Sequence, residues 1–233
     1  MGNLIMLNIE FEFNGRKETI YPVLLRDDKE MILIDCGYPN FLPLIEECAI
    51  KSNINLDELT KIIITHHDFD HMGSLAEFKK KYPNIKVMAS KEDRPYIEGK
   101  LKSLRLQQAE RIYESLPDNE KLKAESFHKI LASVEPCKVD IALNDGDILD
   151  IAGGIEIVST PGHMLGHISI YHRESKTMIV GDALVLENGE LSIALPEYTL
   201  NMEEALKSVE KISSYDVCII ICYHGGRCTI KSS

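Results

Sequence analysis

Residues 61–75, KIIITHHDFDHMGSL, decide how the rest of this chain is read. Lys61 to Thr65 form a short β-branched run of the kind that makes a buried strand, and Met72, Leu75 and Phe78 recur after it at helical spacing. Between strand and helix stand six residues, HHDFDH, five of which carry side chains able to bind a metal. Neutral imidazoles and carboxylates ligate borderline and hard divalent ions, and a tight turn can aim several of them at one point. A polar loop after a strand also contains His and Asp simply because it is exposed, and Asp suits turn geometry. The remainder of the chain decides between these readings.

With 233 residues, 44% of them hydrophobic, the chain can bury a substantial core. It has no Pro/Gly/Ser-rich linker, low-complexity run or internal repeat, which predicts one domain over residues 1–233. A formal charge of −11 argues against nucleic acid or an anionic membrane as a partner, since both need a basic surface. The start, MGNLIMLNIEFEFNG, alternates like a strand and is not built like a signal peptide, and no apolar stretch reaches the ~20 residues that span a bilayer. A cytoplasmic protein acting on a small molecule is the expectation. The six cysteines lack CxxC spacing and read as thiols, with Cys218 and Cys222 packing as small hydrophobes.

Strands are predicted at residues 6–13, 19–26 and 30–35, separated by turns at Asn14-Gly15 and Asp27-Asp28, which suggests an antiparallel meander. Asn40 is placed to cap a helix carrying Leu44, Ile45, Cys48 and Ala49, and a strand follows at 86–89. Residues 91–134 change character, to charged helical sequence with apolar faces at Leu101, Leu104, Ala109, Ile112, Tyr113 and Leu116, then Leu122, Phe127, Ile130 and Leu131. This reads as a helical insertion or lid. Its basic residues Lys91, Arg94, Lys100, Lys102, Arg105 and Arg111 either face an anionic substrate or, being interspersed with acids, form a solvated helix face, which is the reading preferred. Strands return at 139–143, 147–151, 154–159, 168–172, 177–180 and 217–222, with a capped helix beginning at Asn201 and Glu204.

Three of these strands end as the organising stretch does. Residues 154–159 run into Thr160-Pro161-Gly162-His163, residues 177–180 into Gly181-Asp182, and residues 217–222 into Tyr223-His224-Gly225-Gly226. Each is an apolar strand closing on a glycine turn that bears one His or Asp, and glycine there permits tight angles and close approach. Strand ends gathered at one sheet edge can focus side chains from distant sequence onto one point.

The ordered series HHDFDH, TPGHMLGH, Gly181-Asp182 and His224 before Gly-Gly, with LIDCG at 33–37, resembles the metallo-β-lactamase fold superfamily over nearly the whole chain. The resemblance implies an α/β (α+β) fold, a four-layer αββα sandwich with the helical insertion, and two divalent ions at one edge of the β core. It gives one ion to His66, Asp68 and His163 and the other to Asp70, His71 and His224, with Asp182 bridging both. Zinc is the foremost candidate, iron or manganese the alternatives. The usual motif, HxHxDH, has a histidine at position 68, whereas this chain has Asp68. Two divalent ions beside three carboxylates leave a net charge of +1, against +2 with histidine there, and an added oxygen ligand shifts preference from zinc toward iron or manganese.

The function implied is a metal-dependent hydrolase in which a hydroxide held between the metals attacks an ester, lactone, thioester, amide or phosphoester, with Asp70 or Asp68 handling a proton. Asp68 motivates the alternative, a di-iron redox protein related to flavodiiron oxygen or nitric oxide reductases. A binding protein without turnover is a third reading, disfavoured by the complete ligand set. Among the remaining groups, Asp35 is expected to support the site rather than ligate, and His67 to stand behind it or face solvent. His167 either orients a neighbour or makes ordinary hydrogen bonds at a strand start. His128 and His172 are expected at the surface. Tyr96, Tyr198 and Tyr223 are pocket candidates or plain packing, and substrate choice is expected from residues 91–134 and 184–200.

Overall fold

A computed structural model describes residues 3–13 and 15–230, so Asn14 of the first expected turn lies outside the described residues. The chain lays down β1 (Asn3–Met6), β2 (Ile9–Phe13), β3 (Arg16–Ile20), β4 (Val23–Arg26), β5 (Met31–Ile34), α1 (Leu42–Lys51), β6 (Lys61–Ile64), α2 (Phe69–Met72), α3 (Leu75–Lys81) and β7 (Lys86–Ser90). Three helices follow, α4 (Arg94–Ile97), α5 (Leu104–Tyr113) and α6 (Asp118–Ala132), where the insertion is expected. The second half holds β8 (Ile141–Leu143), β9 (Ile148–Leu149), β10 (Ile155–Ser159), β11 (Ile168–His172), β12 (Thr177–Gly181), β13 (Val185–Glu187), β14 (Glu190–Ser192), α7 (Met202–Ser213), β15 (Ile219–Cys222) and β16 (Gly226–Thr229).

Two six-stranded sheets face each other, in the orders β1-β4-β5-β6-β7-β8 and β16-β15-β12-β11-β10-β9. Alternation along the strands builds the layers, because successive side chains point to opposite faces. In β5, Met31 and Leu33 join the cluster under α1 and α3 that contains Ile45, Ala49, Leu75 and Phe78, while Ile32 and Ile34 face the other sheet. In β12, Ile179 faces inward toward them, while Met178 and Val180 pack under α7 against Ile212. Helix, sheet, sheet and helix therefore stack with an apolar layer at each junction.

The N-terminal strands differ from a simple meander. The hairpin of β2 and β3 is a separate two-stranded sheet, and β1 pairs with β4, because Tyr21-Pro22 breaks the apolar run before Val23. Asn40 does not cap α1: it sits at φ 69, Phe41 holds the cap position, and the Asn40 amide donates to Glu77 Oε1 at 2.8 Å. Asn201 does cap α7, its Oδ1 accepting from the Glu204 amide at 3.2 Å. Cys222 is buried as expected, but Cys218 is exposed. The apolar faces of the insertion are only partly covered, with Leu101, Ile112 and Leu122 exposed, since α5 and α6 pack on each other and leave an outer side to solvent. No helix among the described residues is long and apolar enough to cross a membrane.

Topology sets where the site falls. β6 runs parallel to β5, β15 runs parallel to β12, and β10 shares the direction of β12 because both are antiparallel to β11. The loops carrying the His and Asp residues therefore leave the C-terminal ends of co-directed strands at one edge.

Candidate metal centre

All seven predicted ligands meet at that edge. His66 follows β6, and Asp68 stands just before α2 with extended angles, so the first turn of α2 presents Asp70 and His71. His163 comes from the loop after β10, Asp182 from the end of β12 and His224 from the end of β15. The loops bring them in only by close backbone approach. Gly162, at φ +136, lies where a Cβ would fall 2.4 Å from the Ala205 amide of α7. Gly181, at φ +52, lies where one would fall 2.8 Å from His167 Nε2.

Two groups result, each with its ligand atoms within 4.8 Å of one another: His66, Asp68 and His163, and Asp70, His71, Asp182 and His224. In the first, Asp68 Oδ2 lies 3.5 Å from His66 Nε2 and 3.2 Å from His163 Nε2. In the second, Asp182 Oδ2 lies 3.3 Å from His71 Nε2 and 3.6 Å from His224 Nε2, and Asp70 Oδ2 lies 3.1 Å from His224 Nε2. The same Asp182 oxygen is 3.6 Å from His163 Nε2, on the border of both groups. Tetrahedral ligands of a zinc-sized ion stand about 3.3 Å apart, the separation of these atoms. His66 Nε2, His71 Nε2 and Asp182 Oδ1 are buried without a hydrogen-bond partner, a costly state for polar atoms that an ion would relieve. The donor set and its geometry fit two divalent ions.

The ligands are held from behind. Asp35, at the end of β5 with φ 60, accepts from the Thr65 amide and hydroxyl, both at 2.8 Å, and its Oδ2 lies 2.8 Å from His71 Nδ1. A left-handed non-glycine residue is strained, and here the strain coincides with orienting a ligand. The Tyr223 hydroxyl donates to the Asp70 carbonyl at 2.7 Å. His167 Nε2 accepts the Asp182 amide at 3.1 Å while its Nδ1 meets Thr160 Oγ1 at 2.9 Å, so it positions the bordering carboxylate's backbone.

Charges at the site offset one another. Burial disfavours the imidazolium of His71, but Asp182, Asp35 and Asp70 outweigh it and raise its pKa well above the ordinary value. For His66, burial and then His71 push the pKa well down. Burial works against the Asp182 and Asp68 carboxylates, yet both titrate well below the usual range, Asp182 chiefly because of His71 and Asp68 chiefly because of Arg105.

Arg105 is the residue that sequence reasoning misplaced. It is 6% exposed, and its Nη2 donates to Asp68 Oδ2 at 2.7 Å and to the Tyr198 carbonyl at 2.9 Å. Its Nε lies 3.2 Å from Asp68 Oδ2 and its Nη1 2.7 Å from Gln108 Oε1. Lys91, Lys100, Lys102 and Arg111 do lie on the exposed face, but Arg105 turns inward. No local pattern marks it, because its partner is 37 positions away. Of the two readings of position 67, the solvent-facing one does not hold: His67 is buried, with Nδ1 2.8 Å from Asp93 Oδ2, Nε2 accepting the Leu104 amide at 3.3 Å, and its ring stacked on Tyr96. Of two histidines expected at the surface, one is buried and the other partly covered. His172 is buried, its Nε2 2.5 Å from the Ala152 carbonyl, and His128 is half-buried beside Tyr113.

The profile of the metallo-β-lactamase superfamily matches residues 17–224, and the chain belongs to that superfamily. A probable metallo-hydrolase of Bacillus subtilis, YflN, is 23% identical over 214 residues, covering 83% of this chain and 75% of that protein. A hydroxyacylglutathione hydrolase of Ectopseudomonas mendocina is 28% identical over 127 residues, 54% of this chain and 33% of the relative. Among solved structures, a metallo-beta-lactamase family protein of Thermus thermophilus superposes with a TM-score of 0.76 at 22% identity, covering 97% of this chain and 74% of that one, which shows the shared fold.

Proposed function

We propose that this chain is a binuclear metal-dependent hydrolase acting on an ester, lactone, thioester, amide or phosphoester bond of a small molecule. The observation that carries the reading is the pair of adjoining ligand groups with the orphaned atoms of His66, His71 and Asp182 aimed between them. His66, Asp68 and His163 would hold one ion and Asp70, His71 and His224 the other, with Asp182 between. Zinc is the first choice, iron or manganese the alternatives. When bound, the ions would supply a nucleophilic water at neutral pH and an electrophile for the oxygen that gains charge. Asp35 fixes the His71 ring so that Nε2 faces the centre, and His167 fixes Asp182. Proton handling is assigned to Asp70, whose Oδ2 borders His224, or to Asp68, which Arg105 engages. The Arg105 guanidinium also returns the charge that Asp68 removes, so the charge count no longer favours the di-iron redox alternative, which rests on the oxygen ligand at position 68.

The test is elemental analysis of protein purified without added metal, followed by a panel of candidate substrates with and without chelator, hydroxyacylglutathiones first. About two ions per chain and chelator-sensitive turnover that His163→Ala abolishes are expected. Absence of bound metal, or full turnover in that variant, refutes the assignment. Dioxygen consumption with an electron donor and two irons would replace it by the redox reading.

A further inference from the structure

Three consecutive residues of HHDFDH, the ligand Asp68 and its two neighbours, have a second task, because they hold the helical insertion. His67 accepts the Leu104 amide and stacks on Tyr96, Asp68 binds Arg105, and Phe69 meets Phe127 edge-on with ring centroids 5.6 Å apart. Leu104 and Arg105 open α5, so its first turn is docked on the metal loop by two neighbouring residues. The guanidinium is committed there. Asp68, Gln108 and the Tyr198 carbonyl take its donors, and Nη2 also lies 3.2 Å from His163 Nε2, which leaves little of it to bind a substrate anion.

We propose that Asp68 and Arg105 act as one unit, a carboxylate ligand with its own counter-cation supplied by the insertion, which gives the first metal position the net charge a neutral histidine would give it. The inference rests on the binuclear reading above. The charge count carries it. Two divalent ions with Asp68, Asp70 and Asp182 leave +1, and Arg105 restores +2. Arg105 also fixes which way the carboxylate faces, as outer partners of ligands do. Arg105 is thus a positioning residue. A histidine at position 68 suits this site only when position 105 carries no charge.

The experiment compares wild type, Asp68→His, Arg105→Met and the double variant, with zinc affinity measured by chelator competition and zinc content per chain. Asp68→His alone strands the guanidinium beside histidines and a divalent ion, and weakens zinc binding at the first position by about 10- to 100-fold, while the double variant returns to within about threefold of wild type. The ion of the second group, which the pair does not ligate, reports in each variant that the site is folded. Zinc binding as tight in Asp68→His as in wild type, or no recovery in the double variant, overturns the proposal. A rise in zinc content from one to two per chain in Arg105→Met also overturns it, since the guanidinium would then be filling the metal position. A wild-type chain that takes up no zinc, iron or manganese refutes the metal reading itself, and this inference with it.

Discussion

The two ligand groups share a border at Asp182, but different parts of the chain support them. Behind Asp70, His71 and His224 stand Asp35 at the end of β5, Thr65 at the end of β6 and Tyr223 at the end of β15, all buried in the sandwich. Behind Asp68 and His163 stand Arg105 and Gln108 of α5 and the carbonyl of Tyr198, which belong to the two segments expected to set substrate choice. The second group is braced by the core that makes the fold; in the first, core Thr65 Oγ1 lies 3.1 Å from His66 Nδ1, while the insertion and the Tyr198 segment hold Asp68 and His163. The core side orients the His71 imidazole, and the insertion side places a guanidinium on the Asp68 carboxylate.

The largest effect tests the border. Asp182→Ala removes the carboxylate adjoining both groups and is expected to abolish metal-dependent hydrolysis with circular dichroism unchanged; residual activity near wild type would place the border elsewhere. Next comes the core brace. Asp35→Asn keeps the shape but weakens the charged partner of His71, and metal affinity of the second group should fall by about 10- to 100-fold, with a smaller fall at the first, which Asp35 reaches only through Thr65 and His66. Chelator competition reads both, and an equal loss at the two positions would mean that the groups are not separately supported.

The smallest effect tests the root of the insertion. Glu98 accepts from Lys100, from Arg94 Nε at 3.0 Å and from the Val139 amide at 3.2 Å, tying the end of α4 to the chain before β8. The Lys100 ammonium, with Arg94 and the amide, pulls its pKa from 4.5 down to about 2. A carboxyl depressed in the folded state adds stability that is complete above its ordinary pKa and lost as pH falls toward the depressed value. Melting temperature should therefore fall less steeply in Glu98→Gln than in wild type between about pH 5 and pH 2. Parallel slopes would show that Glu98 does not pin the insertion.

Much of the sandwich was legible because strands buried on both faces read as short continuous apolar runs bounded by turns. Ile62, Ile63 and Ile64 read as a strand without help, and their sides follow from alternation. The ligands were legible because each sits at a strand end beside a glycine turn in the order of a known family. Less legible were weakly patterned pieces such as β13, β14 and β16, and the hairpin that interrupts the first sheet. His172 escaped because its partners, the Ala152 carbonyl and Ser175, are defined by a turn the sequence does not announce.

The sequence by itself determined the strands and the glycine turns that close them, which are local properties, and its ordered motifs carried the family resemblance that implied the layer order, the edge of the site and the seven residues that converge there. Only the tertiary structure decided the partners of those residues. Arg105 carries the same charge and helical spacing as the solvated bases around it, and what separates it from them is burial against a carboxylate 37 positions away. Long-range electrostatics of that kind depends on how an insertion docks, and no window of sequence contains both halves of the pair.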